Sequence, residues 1–302
     1  MKGNQESTVE SVIAAAFGED VHVLGRHPVY GGDINQSYRL ALSNGASAFI
    51  KCNAKMDMSF FEAEARGLKA LRRMDAIGVP KVLGIGTDNR KGTAFLILEY
   101  LESAPRISGY GEVFGRELAQ LHKGDCRGFA AADDGLPYGF DTNNFIGASP
   151  QINTPKANWV DFYRECRLLP QITMAEKYFD ARTRKQCATL LDHLDAYITE
   201  PKFPSLIHGD LWSGNAVCGP DGKAWILDPA VYVGHFEAEL AMTELFGGFP
   251  PSFYGAYNEV NAIDGGYRER KDLYALYHLL NHLNLFGGTY YDPVKRILNK
   301  YA

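Results

Sequence analysis

The chain has 302 residues, 46% of them hydrophobic, and a formal net charge of −5. This length allows one large domain or two lobes with separate cores, and the absence of a long basic run argues against nucleic acid as a partner. The sequence contains no apolar run of about 18 residues, the length that would predict a membrane span. The polar N-terminus does not have the pattern of a signal peptide. Five cysteines without metal-site spacing favour reduced thiols. We therefore expect a soluble, cytoplasmic protein with no membrane partner.

The N-terminal third of the sequence predicts a short helix followed by an antiparallel meander. The helix is predicted over residues 7–17, and three strand-like runs follow, with Gly31-Gly32 in the first turn. A glycine turn lets backbone N–H groups approach phosphate oxygens, although Gly-Gly fits an ordinary hairpin turn equally well. Lys51 ends the third strand. It is either a solvated lysine at a strand end or a lysine directed at nucleotide phosphates.

The next predicted helix covers residues 59–73, where apolar residues recur at helical spacing. At about 100° per residue, Glu64 falls within the apolar stripe, whereas Glu62 lies on nearly the opposite side. A glutamate that faces the core needs a cationic partner, because burying it unpaired costs several kcal/mol. We therefore predict that Lys51 pairs with Glu64 and not with Glu62.

Two further strands complete the predicted sheet. Residues 79–83 read as an edge strand that contains a proline, and residues 93–101 as a buried strand. The pattern breaks at residues 102–105, and the chain beyond is mostly helical. We predict an α+β protein of two lobes. Residues 1–101 form the N-terminal nucleotide-binding lobe, a five-stranded antiparallel sheet with one long helix. Residues 102–302 form a mainly helical lobe that contains a catalytic hairpin.

The second lobe is predicted to contain six helices, over residues 110–123, 159–174, 178–199, 236–246, 267–286 and 293–301. Residues 124–158 are rich in Gly, Pro, Asn and Asp, and a loop of this length is usually functional. Residues 250–257 read as an irregular aromatic stretch. His278 and His282 are four residues apart, but Leu279 occupies the position where a zinc helix needs Glu. Both histidines are therefore interpreted as structural.

The stretch over residues 205–228 carries the polar residues best placed for chemistry. Short apolar runs on both sides of a turn predict a β-hairpin closed by Asp221-Gly222. With a two-residue loop, Asn215 and Asp228 face each other, roughly 5 Å apart at Cβ. Asp210 stands five residues before Asn215. Two carboxylates and an amide are hard oxygen ligands, which suit Mg²⁺ better than zinc.

Asp-x-x-x-x-Asn followed by a downstream Asp is the spacing found in phosphotransferases. In those enzymes one Asp accepts the hydroxyl proton, and the Asn and second Asp hold metal ions on the nucleotide phosphates. The alternative is an ordinary hairpin with solvated polar residues. His-Gly-Asp before the pattern, and an apolar run that ends in Asp, favour the functional interpretation.

Taken in chain order, these features resemble the two-lobed protein-kinase-like fold of small-molecule kinases, the group that includes aminoglycoside phosphotransferases. More narrowly, the chain resembles the fructosamine kinase (ketosamine-3-kinase) family from residue 28 onward. The motifs that carry the resemblance are Gly31-Gly32-Asp33-Ile34-Asn35, Phe61-Glu62-Ala63-Glu64-Ala65-Arg66-Gly67-Leu68, His208-Gly209-Asp210-Leu211-Trp212-Ser213-Gly214-Asn215, Leu227-Asp228-Pro229-Ala230, Ala241-Met242-Thr243-Glu244-Leu245-Phe246-Gly247-Gly248-Phe249 and Leu276-Tyr277-His278-Leu279-Leu280-Asn281-His282-Leu283-Asn284-Leu285-Phe286-Gly287-Gly288.

The resemblance implies ATP-dependent phosphorylation of the 3-hydroxyl of a ketosamine, the sugar adduct that glycation leaves on an amine or a protein lysine. This is a deglycation-type repair reaction. By the same resemblance, Asp210 is the catalytic base, and Asn215 and Asp228 hold magnesium. Trp212 offers an apolar face to the sugar, with core packing as its alternative. The implied ATP-binding residues are Gly31, Gly32, Lys51, Glu64, Glu99 and Leu101, the last two through backbone groups that hold adenine.

Two departures from the family pattern follow Asp228. Glu239 replaces an aspartate that usually braces the catalytic loop in kinase-like folds, and its extra methylene puts the brace in question. His235 and Phe236 replace an Asp-Arg pair, which is expected to alter substrate contacts. The rival interpretations are a kinase of the same fold for an aminoglycoside, choline or thiosugar hydroxyl, and a nucleotide-binding regulator without catalysis. The sequence predicts no oligomeric state.

Overall fold

A five-stranded sheet with a helix on each face forms the N-terminal part of the protein. The computed structural model describes residues 8–30, 34–88, 92–130 and 135–302. In these ranges the N-terminal elements are α1 (Val9–Phe17), β1 (Val23–Val29), β2 (Gln36–Leu42), β3 (Ser47–Asn53), α2 (Met58–Arg73), β4 (Val82–Asp88) and β5 (Thr93–Glu99). The sheet order is β1-β2-β3-β5-β4, and each neighbouring pair is antiparallel. The predicted sheet is confirmed, with β4 at its edge.

Strand β5, which lies between β3 and β4 in the sheet, is apolar along nearly its whole length because both faces of the sheet are covered. Alternate side chains of a strand point to opposite faces. Phe95 and Ile97 lie in the core formed with α1, and Leu96 and Leu98 lie in the larger core that contains α2. The same alternation governs β3, which carries Lys51.

Helices make up most of the remaining chain, with short strand pairs between them. The elements are α3 (Tyr110–Lys123), β6 (Asn144–Ile146), β7 (Ser149–Gln151), α4 (Trp159–Phe162), a π-helical segment (Tyr163–Leu168), α5 (Leu169–Met174), α6 (Ala181–Asp192), β8 (Ser205–Ile207), β9 (Ala216–Cys218), β10 (Ala224–Ile226), β11 (Tyr232–Gly234), α7 (Phe236–Leu245), α8 (Pro251–Val260), α9 (Tyr267–Phe286) and α10 (Tyr291–Tyr301). Throughout the described ranges, the helices are too short or too polar to cross a bilayer.

Two predicted features of this region are corrected. Residues 250–257 are not irregular, because α8 covers Pro251–Val260. Proline fits the first turn of a helix, where its missing N–H has no partner to lose, and Phe253 and Tyr257 bury one face of α8. The expected loop over residues 124–158 contains the β6–β7 hairpin, which lines the main cleft of the protein.

The segment that joins β5 to α3 runs beside the β9–β10 hairpin. The N–H of Ala104 donates to the Gly219 carbonyl at 3.2 Å, and the N–H of Ile107 donates to the Gly222 carbonyl at 3.1 Å. These two hydrogen bonds fix the connector against the β9–β10 hairpin. The division of the chain between residues 101 and 102 falls in this connector and stays a prediction.

Candidate active site

The His-Gly-Asp motif lies in a tightly packed loop between β8 and β9. Gly209 has a φ of 82°, and a Cβ at this position would lie 2.1 Å from the Ala230 carbonyl oxygen. Glycine alone fits such a close approach in the left-handed region. The N–H of Ala230 donates to the His208 carbonyl at 2.8 Å. The loop is thereby joined to the segment that follows Asp228.

The hairpin register differs by one residue from the prediction. Val217 pairs with Trp225 across β9 and β10, and the N–H of Leu227 donates to the Asn215 carbonyl at 2.9 Å. Asn215 therefore lies opposite Leu227, and its predicted pairing with Asp228 is wrong. Asn215 and Asp228 nevertheless line the same cleft.

The cause of the shift is a three-residue loop over residues 220–222 in place of the predicted two-residue loop. The N–H of Gly219 donates to the Lys223 carbonyl at 2.9 Å and closes the loop. The Asp221 carboxylate accepts hydrogen bonds from the Lys223 N–H at 3.1 Å and the Trp225 indole N–H at 3.0 Å. An aspartate that bonds to the backbone two residues ahead stabilises such a turn.

Asp210 is half-buried and is held by Asn215. The Asn215 amide Nδ2 donates to the Asp210 carbonyl at 2.8 Å and to Asp210 Oδ2 at 3.3 Å. Burial raises the pKa of Asp210 well above its ordinary value, and the charges of Asp228 and Glu239 act in the same direction. A carboxylate of raised basicity beside an amide clamp can accept a proton from a bound hydroxyl.

Lys51 connects the sheet, α2 and the segment after the hairpin. Its neighbour Ile50 packs on the α1 side of the sheet, so Lys51 faces α2. Its Nζ lies 2.5 Å from Glu64 Oε1 and also forms an ion pair with Asp228. Burial alone lowers the pKa of Lys51, but the charges of Asp228 and Glu64 outweigh it, and the pKa is raised. Lys51 therefore stays charged, and its predicted pairing with Glu64 is present.

The geometry of α2 and of the segment after β10 explains this convergence. Glu62 is exposed and Glu64 is largely buried, as the helical period requires. Burial raises the pKa of Glu64, and the charge of Lys51 opposes that rise. Asp228 has a φ of 57°, in a region that aspartate tolerates better than most residues and that is common at functional sites.

Glu239, the residue that departs from the family pattern, braces the catalytic loop. Its carboxylate accepts hydrogen bonds from the N–H of His208 at 2.5 Å and the N–H of Gly209 at 3.0 Å. The His208 ring in turn donates from Nε2 to the Leu227 carbonyl at 2.8 Å. The longer side chain therefore still reaches two backbone donors next to Asp210. His235 and Phe236 are buried and are not among the residues that line the main cleft.

We expect Glu239→Ala to lower both stability and kcat. The substitution leaves two buried N–H groups without an acceptor, which costs about 1–3 kcal/mol for each group. The loosened loop then holds Asp210 less firmly. Urea unfolding and steady-state kinetics measure the two effects. Wild-type stability together with wild-type kcat would show that Glu239 is no brace. Glu10→Ala, on the exposed side of α1, is the control.

A cleft of about 430 Å³ joins these residues to an aromatic surface. Polar side chains from the sheet, α2 and the catalytic loop line one part of it. The aromatic lining residues are Phe60, Phe145, Trp212, Phe246, His282, Phe286 and Tyr290. Trp212 is 39% exposed, which excludes core packing for this ring. A Cβ at Gly214 would lie 2.4 Å from the Trp212 ring, so the glycine permits the position of the indole.

The other predicted site residues lie apart from this cleft or outside the described ranges. Gly31 and Gly32 belong to the residues that the structure does not describe. Glu99 ends β5, and Leu101 lies two residues further on. Neither is among the residues that line the cleft. The N–H of Glu99 donates to the Lys81 carbonyl at 2.9 Å. The predicted adenine contacts of Glu99 and Leu101 stay predictions.

His282 is the residue whose interpretation changes most. His278 is buried in the core as predicted, but His282 lines the cleft. Sequence reasoning also missed Phe246, Phe286 and Tyr290. They come from separate elements, and no local pattern distinguishes a cleft-lining ring of an apolar helix from a core ring.

The oxygen atoms of Asn215 and Asp228 fit a magnesium site. Both contacts of the Asn215 amide to Asp210 are made by its nitrogen, Nδ2. The oxygen of the amide, Oδ1, accepts no hydrogen bond from the described residues and is available to a metal ion. The Asp228 side chain is 46% exposed toward solvent. Mg²⁺ in proteins is usually held by one or two carboxylates together with substrate phosphates. Across the described ranges, His, Cys, Asp and Glu side chains form no cluster of three that suits a metal.

A buried Lys–Glu pair between sheet and helix, an Asp–Asn loop and a metal-suited Asp in one cleft define a phosphotransferase of the protein-kinase-like fold. The crystal structure of aminoglycoside phosphotransferase APH(4)-Ia, in a ternary complex with AMP-PNP and hygromycin B, has this fold. It aligns with a TM-score of 0.61 at 16% identity and covers 97% of this chain and 96% of its own.

The chain belongs to the fructosamine kinase family, whose model matches residues 5–302. A Synechocystis protein assigned as a ketoamine kinase is 37% identical over 294 residues, which cover 97% of this chain and 95% of the relative. The crystal structure of a protein assigned as a fructosamine-3-kinase from Haemophilus somnus aligns with a TM-score of 0.84 at 29% identity. That alignment covers 97% of this chain and 96% of the other.

Proposed function

We propose that the protein transfers the γ-phosphoryl group of ATP to the 3-hydroxyl of a ketosamine, carried on a small amine or on a protein lysine. The observation that supports this most is the convergence of Asp210, Asn215 and Asp228 with the Lys51–Glu64 pair in one cleft. Membership in the fructosamine kinase family supports the choice of acceptor.

In the proposed reaction, Asp210 accepts the proton of the 3-hydroxyl while the oxygen of that hydroxyl forms a bond to the γ-phosphorus. The bond between that phosphorus and the β,γ-bridging oxygen breaks, and ADP leaves. Asn215 holds the Asp210 carboxylate in place, and Glu239 fixes the backbone of the loop. Little covalent chemistry falls to the protein, so its contribution is positioning and electrostatic stabilisation.

In this proposal, ATP and Mg²⁺ are bound by polar residues of the same cleft. Lys51, oriented by Glu64, would contact the α- and β-phosphates. Asn215 and Asp228 would hold Mg²⁺, which supplies positive charge for the developing phosphate oxygens.

The proposal is tested by ADP formation with Mg²⁺ and ATP against a panel of acceptors. The panel contains a fructosamine, a ribulosamine, an aminoglycoside and choline. We expect turnover with one or both ketosamines and none with the other two. Phosphorus NMR of the product should place the phosphate on O3.

The remaining outcomes separate the rival functions. Turnover with the aminoglycoside or choline alone would identify a kinase of the same fold with another acceptor. ATP binding without phosphoryl transfer to any acceptor would favour a non-catalytic regulator. Omission of Mg²⁺ is expected to abolish turnover, and activity retained in EDTA would remove the metal from the proposal.

A further inference from the structure

Four rings on one side of the cleft form a continuous aromatic surface, here called the aromatic wall: Phe246, His282, Phe286 and Tyr290. Phe246 follows α7, His282 and Phe286 are one turn apart on α9, and Tyr290 lies just before α10. The His282 ring centroid lies 4.6 Å from Phe246, 5.4 Å from Phe286 and 5.1 Å from Tyr290. His282 therefore holds the four rings together.

The wall faces the cleft and is not a core surface. All four rings line the cleft, and Phe286 is 50% exposed. A contiguous aromatic patch beside a catalytic residue is a place where a ligand is bound, because water covers such a patch at a free-energy cost. The Trp212 ring, two residues from Asp210, lies 6.5 Å from Phe246 and continues the surface toward the catalytic loop.

The wall carries no formal charge. The His282 Nδ1–H donates to the His278 carbonyl at 2.8 Å, and burial lowers the pKa of His282. The ring is therefore neutral near pH 7 and does not repel a cation. Three carboxylates line the cleft. Glu64 and Asp228 pair with Lys51, and Asp210 lies in the loop before Trp212 and is not part of the wall. The wall itself therefore offers a cation only ring faces, and the cleft carboxylate without an ion pair among the described residues is Asp210.

The geometry of a ketosamine brings its amine to this region. Three carbon atoms separate the amine nitrogen from the 3-hydroxyl oxygen, so the nitrogen lies close to Asp210 when the hydroxyl does. The amine is a secondary ammonium when protonated, and the faces of aromatic rings attract ammonium groups. The alkyl arm beyond the nitrogen is apolar and suits the same rings.

We propose that the aromatic wall binds the protonated amine and alkyl arm of the ketosamine and so distinguishes amine-borne ketoses from neutral ones. This inference rests on the proposed function. It assigns to Phe246, His282, Phe286 and Tyr290 a specificity role that the phosphoryl transfer itself does not require.

The test compares a 1-alkylamino-1-deoxyfructose with its ether analogue, in which oxygen replaces the nitrogen. kcat/KM is measured for both with the wild type, Phe286→Leu and Tyr290→Leu. Leucine keeps apolar volume but removes the ring face. We expect the wild type to prefer the amine, and each variant to lose about 3- to 10-fold on the amine with little change on the ether. Tyr197→Leu removes an exposed ring that does not line the cleft and is the control.

An equal loss on both compounds, or no loss on either, would overturn the role of the wall in amine recognition. Equal wild-type affinity for amine and ether would do the same. Where the ether is not turned over, its inhibition constant against the amine replaces kcat/KM. If the wild type turns over neither compound, the proposed function fails. In that case the affinities of the amine and the ether are still compared, either by their inhibition of ATP hydrolysis or by calorimetric titration.

Discussion

Replacing Asp210 by alanine is expected to lower kcat by about 10²- to 10⁴-fold, the usual contribution of a general base. The affinity for ATP should remain within about twofold, because Lys51 and Glu64 keep their contacts. Folding should be preserved as well. The Asn215 amide still donates to the backbone carbonyl of residue 210, and the variant removes a carboxylate whose pKa burial has raised. Single-turnover kinetics and ATP titration measure the two quantities.

Two variants make this result specific. Asp210→Asn keeps the shape of the side chain but cannot accept the proton, so we expect a loss close to that of alanine. Asp195→Asn makes the same chemical change at an exposed position of the helical lobe and should leave kcat unchanged. Substantial activity in Asp210→Asn would exclude Asp210 as the base and would leave it a positioning role.

Replacing Lys51 by methionine is expected to lower kcat/KM for ATP by about 10²-fold or more, because one preorganised cation is lost from the site. The variant also leaves the Glu64 carboxylate, which is only 10% exposed, without its partner. Stability is therefore measured beside activity by urea unfolding. Lys69→Met, on the exposed side of α2, is the matched control and should change neither quantity.

The two glutamates of α2 separate a phosphate-binding role of Lys51 from a structural one. Glu64→Gln should lower kcat/KM for ATP, because Lys51 loses the anion that orients it. Glu62→Gln, two positions away on the exposed side, should have no effect. Equal effects of the two substitutions would contradict the assignment of Glu64. An effect of Glu64→Gln on unfolding but not on ATP would restrict the Lys51–Glu64 pair to a structural role.

The convergence of Lys51 and Glu64 could be predicted from the sequence because it depends on local periods. The two-residue period of β3 directs Lys51 away from Ile50, and the helical period of α2 separates Glu64 from Glu62. The five-residue spacing of Asp210 and Asn215 likewise fits within one short loop. In each case the side-chain direction follows from neighbours that are close in sequence.

Only the tertiary structure decided the hairpin register, the brace and the aromatic wall. The register depended on whether Asp221 would hold a loop of two or three residues, and the observed hydrogen bonds hold three. The reach of Glu239 depended on how α7 packs beneath His208 and Gly209. The aromatic wall combines residues of α7, α9 and the turn before α10, whose sequence periods do not specify how these elements are placed against one another. The sequence by itself therefore determined the polar residues that converge in the cleft, whereas the aromatic surface of the cleft was decided by packing between distant elements.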